Sequence, residues 1–231
     1  MREIVFDTET TGLDPFDGHR IVEIGCIELL NRIPTGASFQ RYLNPERDVP
    51  AEAFKVHGLS AEFLKDKPIF ESIVDELLEF FGDAPLIAHN ASFDYSFLSA
   101  EIERVKRACP PRDRLIDTIA LARRKHSAGP YSLDALCVRY GIDNSRRTKH
   151  GALLDAEILA EVYLELIGAR QATLGLAEIA AGGAGRNGAN EIRVREMPLA
   201  IRLTDADRQA HLDFVATLGE KPLWLDYLSK S

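Results

Sequence analysis

Four acids and a histidine carry the chemistry that this chain of 231 residues could perform. Asp7 and Glu9 stand two positions apart near the end of an apolar run, Asp94 follows a second apolar run, and His150 precedes Asp155 by five positions. Hard carboxylate oxygens suit Mg²⁺ or Mn²⁺. Acids that converge on one spot repel each other unless a cation neutralises them. Two divalent cations roughly 4 Å apart would do so, and would clamp a phosphodiester from both sides of an in-line displacement by water. A neutral histidine beside them would serve as general base. Each piece is weak when taken alone. An Asp-x-Glu pair is also what a solvated strand end carries, and an acid in the first turn of a helix can act only as a partner of the helix dipole.

The elements that must position these groups can be read from periodicity. On a strand, residues i and i+2 share a face, so Val5, Asp7 and Glu9 belong to one side of the first strand and Ile4 and Phe6 to the other. Gly12 and Pro15 break the pattern, residues 20–30 and 37–43 read as further strands with a turn over 31–36, and the short links predict an antiparallel start to the sheet. Pro50 to Gly58 reads as a short helix, and Ser60 as the cap of another turn. Phe70, Ile73, Val74, Leu77, Leu78 and Phe81 recur at helical spacing up to Gly82. The strand over 85–89 feeds directly into a helix with Ser92 as N-cap, which puts Asp94 in the first turn at the carboxyl end of the sheet, where α/β proteins place their sites. An edge strand at Leu115 and Ile116, a helix capped by Asp117 and another from Ser132 to Gly141 follow. The last helix of this part runs over 153–167. Five helical positions turn through roughly 140°, so His150 and Asp155 share a site only if His150 lies on the loop before that helix.

Composition narrows the class. With 45% hydrophobic and 28% charged residues the chain is that of a globular protein. It has no membrane-length apolar run and no signal-peptide pattern, so a cytoplasmic location is expected. A net charge of −8 argues against coating nucleic acid by bulk attraction. The window from Arg104 to His150 nevertheless holds twelve Lys or Arg against four Asp or Glu, enough for a local phosphate-facing surface or for a scatter of solvated helix faces. Cys26, Cys109 and Cys137 have neither a disulfide pattern nor zinc spacing and read as buried core thiols. Residues 177–191 are rich in glycine and read as a flexible linker. Residues 192–231, with a helix start at Thr204, are too few for an independent core and read as a segment that orders on a partner.

The motifs Phe6-Asp-Thr-Glu-Thr-Thr-Gly12, His89-Asn-Ala-Ser-Phe-Asp94 and His150-Gly-Ala-Leu-Leu-Asp155 resemble, in order and spacing, the three motifs of the DEDD exonuclease superfamily in its histidine branch. Ser132-Leu-Asp-Ala-Leu-Cys137 and the run from Leu153 to Tyr163 look closer still to the proofreading epsilon family of bacterial DNA polymerase III. The resemblance implies an α/β, RNase H-like fold with a central mixed sheet flanked by helices, and 3′→5′ release of single nucleotides. It implies two divalent cations, Mg²⁺ or Mn²⁺, with Asp7, Glu9 and Asp155 at the catalytic ion, Asp7 bridging, Asp94 supporting the second ion, and His150 as base. It places Asp7, Glu9, Thr10, Gly12 and Leu13 against the DNA 3′ end, Leu13 as a wedge, with Val56, His57, Asn90 and Phe93 as further pocket members. His89 reads better as a packing residue. The implied organisation is an exonuclease domain over 1–170, a sliding-clamp motif over 171–176 with Gln171, Leu174 and Leu176 as anchors, the linker, and a polymerase-binding segment over 192–231. That last segment would tether the nuclease to the polymerase catalytic (alpha) subunit, with Trp224 and Tyr227 as contacts. The core motifs alone also fit a free-standing or RNA-directed exonuclease of the superfamily, or a mainly structural polymerase-binding subunit.

Overall fold

Alternation along β1 (Arg2–Thr10) decides the layering of the molecule, a computed structural model that describes residues 1–147, 149–169 and 204–218. β1 lies at the centre of a five-stranded sheet, order β3-β2-β1-β4-β5, antiparallel to β2 (Ile21–Leu30) and parallel to β4 (Leu86–Ala88). β3 (Ile33–Tyr42) pairs antiparallel with β2, and β5 (Leu115–Asp117) pairs parallel with β4. The antiparallel start and the edge strand are as the sequence predicts. The turn before β3 is shorter than expected and the strand starts earlier, because Asn31 and Arg32 both adopt positive φ (51° and 67°). Two left-handed residues in a row match the twist of a tight hairpin, which then pairs from its first residue.

The helices divide between the two faces. α1 (Ala51–His57), α2 (Ala61–Leu64) and α3 (Phe70–Phe81) occupy the crossover from β3 to β4, and α4 (Ala91–Arg104) joins β4 to β5. Ile4 and Phe6 pack with Phe70, Val74, Leu77, Phe97 and Leu98 in one layer. Val5 and Ile87 pack in the other with residues of α5 (Thr118–Lys125), α6 (Leu133–Tyr140) and α7 (Ala152–Leu166), among them Ala122, Leu136, Leu159 and Val162. Each large apolar side chain so buried contributes roughly 1.5–3 kcal/mol. Ser60 and Asp117 cap their helices through side-chain oxygens, as expected, and Ser132 does the same for α6.

Two expectations are corrected. Ser92 is not the cap of α4: that position is Asn90, in the left-handed region at φ 64°, and the Ser92 hydroxyl donates to Asn90 Oδ1 (3.4 Å). The abrupt passage from strand to helix needs a left-handed residue, which Asn tolerates better than Ser. Cys26 and Cys137 are buried, whereas Cys109 is only half-buried, its thiol against the Tyr95 hydroxyl. Of the two readings open for the basic window, the contacts favour the scatter. Arg107 pairs with Asp75 of α3 and Arg114 donates to the Ala84 carbonyl, while on the other side of the sheet Lys125 donates to the Glu165 carbonyl and Arg139 to that of Ala128. The segment wraps around the edge of the sheet, which spreads its charge over both faces.

Contacts divide the chain into Met1–Leu174 and Gly175–Ser231. In the second unit α8 (Asp205–Ala216) begins at the expected Thr204, closed by a capping box in which Thr204 Oγ1 accepts from the Asp207 amide and Asp207 Oδ2 from the Thr204 amide. The linker over 177–191, Gln171, Leu174, Leu176, Trp224 and Tyr227 lie outside the described residues. Among those described, no helix is long and apolar enough to cross a membrane.

Candidate active site

Asp7 and Glu9 sit at the carboxyl end of β1, paired in register with Gly25 and Glu23 of β2. Thr8, between them, points to the opposite face, where its amide and hydroxyl both donate to Asp94 Oδ1 (3.0 and 2.7 Å) from the first turn of α4. Asp155 arrives from the other layer, in the first turn of α7. The start of α7 rests on the bare backbone of Gly25. A Cβ there would lie 2.3 Å from the Leu153 nitrogen and 2.4 Å from the Ala152 carbonyl carbon. Gly151, the N-cap residue of α7, offers no side-chain cap, and Glu23 supplies one from across the sheet: its Oε2 accepts from the Ala152 amide (3.1 Å) while Gln40 donates to its Oε1 (2.8 Å). Glu23 is only 2% exposed, and burial raises its pKa.

His150 lies before α7, as the five-residue spacing requires, with its amide on the Val56 carbonyl (3.3 Å) and Nδ1 3.2 Å from Asp155 Oδ2. Ligand atoms of Glu9, His150 and Asp155 fall within 4.8 Å of one another. Arg147 joins them, a residue that sequence reasoning missed. Its Nε and Nη2 donate to the two oxygens of Asp155 (2.6 and 2.7 Å), Nη2 also meets His150 Nδ1 (2.7 Å), and Nη1 donates to Asp134 Oδ1 (2.8 Å). A guanidinium three positions before the histidine was the available signal. In the sequence it stands only as one of the cations in the window from Arg104 to His150.

Burial and mutual repulsion divide the acids. Burial, then the charges of Asp94, Glu9 and Asp155, holds the Asp7 carboxyl well above the usual carboxylate range. Burial and the neighbouring Asp155 and Glu23 push Glu9 up to about 8. Burial takes Asp94 to about 7 against the opposing pull of its Thr8 hydrogen bonds. Burial also pushes Asp155 upward, but His150 and Arg147 outweigh it and leave this one acid below its ordinary value. Three acids that prefer a proton and one held ionised form an all-oxygen donor set, with one imidazole, that fits a hard divalent cation. A raised carboxyl pKa means that the unfolded chain ionises first, so stability falls as pH climbs from the unfolded value to the folded one and is flat above it. Burial lowers the pKa of His57 and His89, which work in the opposite sense below 6.5, so protein kept in chelator is expected to lose thermal stability from about pH 6.5 to about pH 8, the upper part of the span that Glu9 covers. Asp155 works in the opposite sense but below 3.8, outside that window. Melting curves across the range check this. A melting temperature that stays level or climbs would contradict it, and excess Mg²⁺ should flatten the decline.

A cleft of about 710 Å³ opens over these groups, and it collects Thr10, Gly12, Leu13, Val56, His57 and Phe93 along with the four acids and His150. The Thr10 hydroxyl donates to the Gly12 carbonyl (2.6 Å), Gly12 lies against the His19 ring, and Leu13 is 84% exposed at the rim. His57 is buried at the end of α1, its Nδ1 accepting from the Leu59 amide, and burial lowers its pKa. His89 also lines the cleft, contrary to a pure packing role. Its Nδ1 meets the Thr118 hydroxyl (2.9 Å), and Nε2 has no hydrogen-bond partner among the described residues. Asn90 is not brought in. It is exposed, and its amide donates to Asp117 Oδ1 (3.2 Å), because its left-handed backbone is used to turn the strand into α4.

Comparison with known proteins agrees with this geometry. A family model described as Exonuclease matches residues 4–163. The DNA polymerase III subunit epsilon of Rickettsia felis is 46% identical over 223 residues, covering 94% of this chain and 97% of the relative. The subunit of the same name from Escherichia coli K12 is 43% identical, covering 96% and 97%. Among solved structures, the nuclease domain of 3′hExo, described as a DEDDh family member bound to rAMP, superposes with a TM-score of 0.63 at 16% identity, over 73% of this chain and 92% of that one. At that identity the likeness speaks to the fold, which is RNase H-like.

Proposed function

We propose, for a chain that belongs to the exonuclease family and within it to the DNA polymerase III epsilon subunits, how its cleft serves the proofreading 3′→5′ exonuclease that it is. Asp7, Glu9 and Asp155 would hold the catalytic cation, and Asp94, together with Asp7, would support a second. The ions are Mg²⁺ or Mn²⁺. When bound, they neutralise the acids and polarise the scissile phosphate. His150 takes the proton of the attacking water, and the Asp155 carboxylate beside its Nδ1 steadies the imidazolium that results. The backbone of Thr10 and Gly12 receives the terminal nucleotide, Leu13 wedges against the next base, and Val56, His57 and Phe93 close the pocket. A paired terminus must surrender a few kcal/mol of pairing and stacking to enter, and a mispaired one less, so selectivity needs little base readout.

The observation that carries this reading is the convergence of acids from β1, α4 and α7 with His150 on one sheet edge. Outside the domain, Gln171, Leu174 and Leu176 would engage the sliding clamp. The segment over 192–231, through Trp224 and Tyr227, would hold the polymerase catalytic subunit, raising the local concentration of nuclease at the primer end in the cytoplasm.

One set of assays tests the reading. Purified chain with Mg²⁺, given end-labelled DNA, is expected to release mononucleotides from the 3′ end, faster from mispaired than from paired termini, and to stop in chelator. His150→Gln should slow it about a hundredfold. Truncation after Leu176 should spare hydrolysis and end copurification with the catalytic subunit. Digestion from the 5′ end or a strong preference for RNA would overturn the assignment, and retained copurification would misplace the tether.

A further inference from the structure

Arg147 occupies the two groups that the proposed reaction needs free. A guanidinium carries only donors, so the 2.7 Å contact from Nη2 makes His150 Nδ1 the acceptor and leaves the ring proton on Nε2. An imidazole in that condition has no lone pair for the proton of a water. The same guanidinium covers both oxygens of Asp155 in a paired fork. A divalent cation drawn to those oxygens would stand beside a fixed positive charge. The arrangement supplies its own way out, because the third arm of the fork, Nη1, already rests on Asp134, at the start of α6, where Asn144 also donates to Oδ1 (2.9 Å).

We propose that Arg147 is a displaceable counter-cation: it holds Asp155 and the Nδ1 lone pair of His150 until a divalent cation takes the carboxylate, then withdraws onto Asp134 and frees the base. Arg147 is thus a positioning residue that acts through Asp155 and His150, and the inference rests on the roles given to those two above. Loading with metal and arming of the base become one event, so that neither is exposed without the other.

The test uses the full chain and Mn²⁺ as probe, with binding measured by calorimetry and the His150 ring followed by ¹⁵N correlation spectra. Arg147→Gln is expected to bind Mn²⁺ about tenfold more tightly, since the internal competitor is gone. Asp134→Asn should bind more weakly, because Arg147 loses its alternative acceptor and stays on Asp155. In chelator the His150 signals should report Nε2–H with Nδ1 as acceptor, and addition of Mg²⁺ should shift Nδ1. Weaker binding by Arg147→Gln would overturn the proposal and make the arginine a fixed support. Should that variant fail to fold, His150 signals in the wild-type chain that do not respond to Mg²⁺ would overturn it equally. If the wild-type chain binds no Mn²⁺, or Asp7→Asn binds it as well as wild type, the metal assignment itself fails, a distinct result.

Discussion

Replacement of Asp7 by Asn is expected to abolish hydrolysis, with a loss of at least about 10³-fold, while making the chelated protein harder to unfold. The first effect follows from position. Asp7 lies on the central strand between the layers that contribute Asp94 and Asp155, and the proposed bridging role gives it both cations to hold. Loss of one ion's charge stabilisation is worth several kcal/mol, and each 1.36 kcal/mol is tenfold in rate. The second effect follows from repulsion. Burial and three neighbouring acids oppose ionisation of this carboxyl, so an isosteric neutral side chain removes a penalty that the folded protein otherwise bears at neutral pH. Nothing in the pairing of Asp7 with Gly25 depends on the charge. Single-turnover rates on a 3′-labelled strand and melting curves in chelator measure the two effects. A variant that kept a tenth of the activity, or that melted below wild type in chelator, would remove Asp7 from the centre of the site. The rise in melting temperature expected of the wild-type chain on adding Mg²⁺ should be absent in this variant.

Gly25→Ala is expected to do comparable damage without touching an ionisable group. The added Cβ would stand 2.3 Å from the Leu153 nitrogen and 2.4 Å from the Ala152 carbonyl carbon. These are backbone atoms and cannot rotate aside. Either the start of α7 lifts from the sheet or β2 bends, and overpacking of this kind costs about 1–3 kcal/mol. Lifting the helix carries Asp155 with it, and a displacement of about 1 Å in a catalytic group can cost on the order of 10²-fold. Gly151→Ala provides the contrast. That residue has an extended backbone at φ −154°, and a Cβ there meets nothing nearer than Glu23 Oε2 at 4.0 Å. Activity near wild type in Gly151→Ala beside a large loss in Gly25→Ala would locate the cause in the packing of α7 on β2. Equal behaviour of the two would refute it.

These cases also show which features could be read from the chain. Asp7 and Glu9 came from strand alternation, and the loop position of His150 from the arithmetic of a helical turn, because both are local consequences of backbone geometry. The caps at Ser60 and Asp117 were local in the same way. Asn90 and Ser92 were not, because the start of α4 is set by the turn out of β4 rather than by the side chain that caps best. The support of Asp155 was invisible for a different reason. Glu23 meets Ala152, and Gly25 meets Leu153, across more than a hundred residues of chain, and no periodicity links them. A glycine inside a strand signals close approach of another backbone, but it does not say which. Arg147 was near enough in sequence to be noticed, yet its partners on α6 and α7 are neighbours only once both helices have packed.

The acids of the site come from opposite sides of one sheet, Asp94 through Thr8 from the layer of α3 and α4, Asp155 through Gly25 from the layer of α6 and α7. On the proposed roles, cutting would require both layers to be intact at the same moment, as a lock with two keys does. A chain still incomplete on one side during synthesis, or loosened there by heat or by mutation, would then go silent instead of degrading DNA indiscriminately. For a nuclease that works beside newly made chromosome, that manner of failing would be a form of genome protection inherent in the architecture.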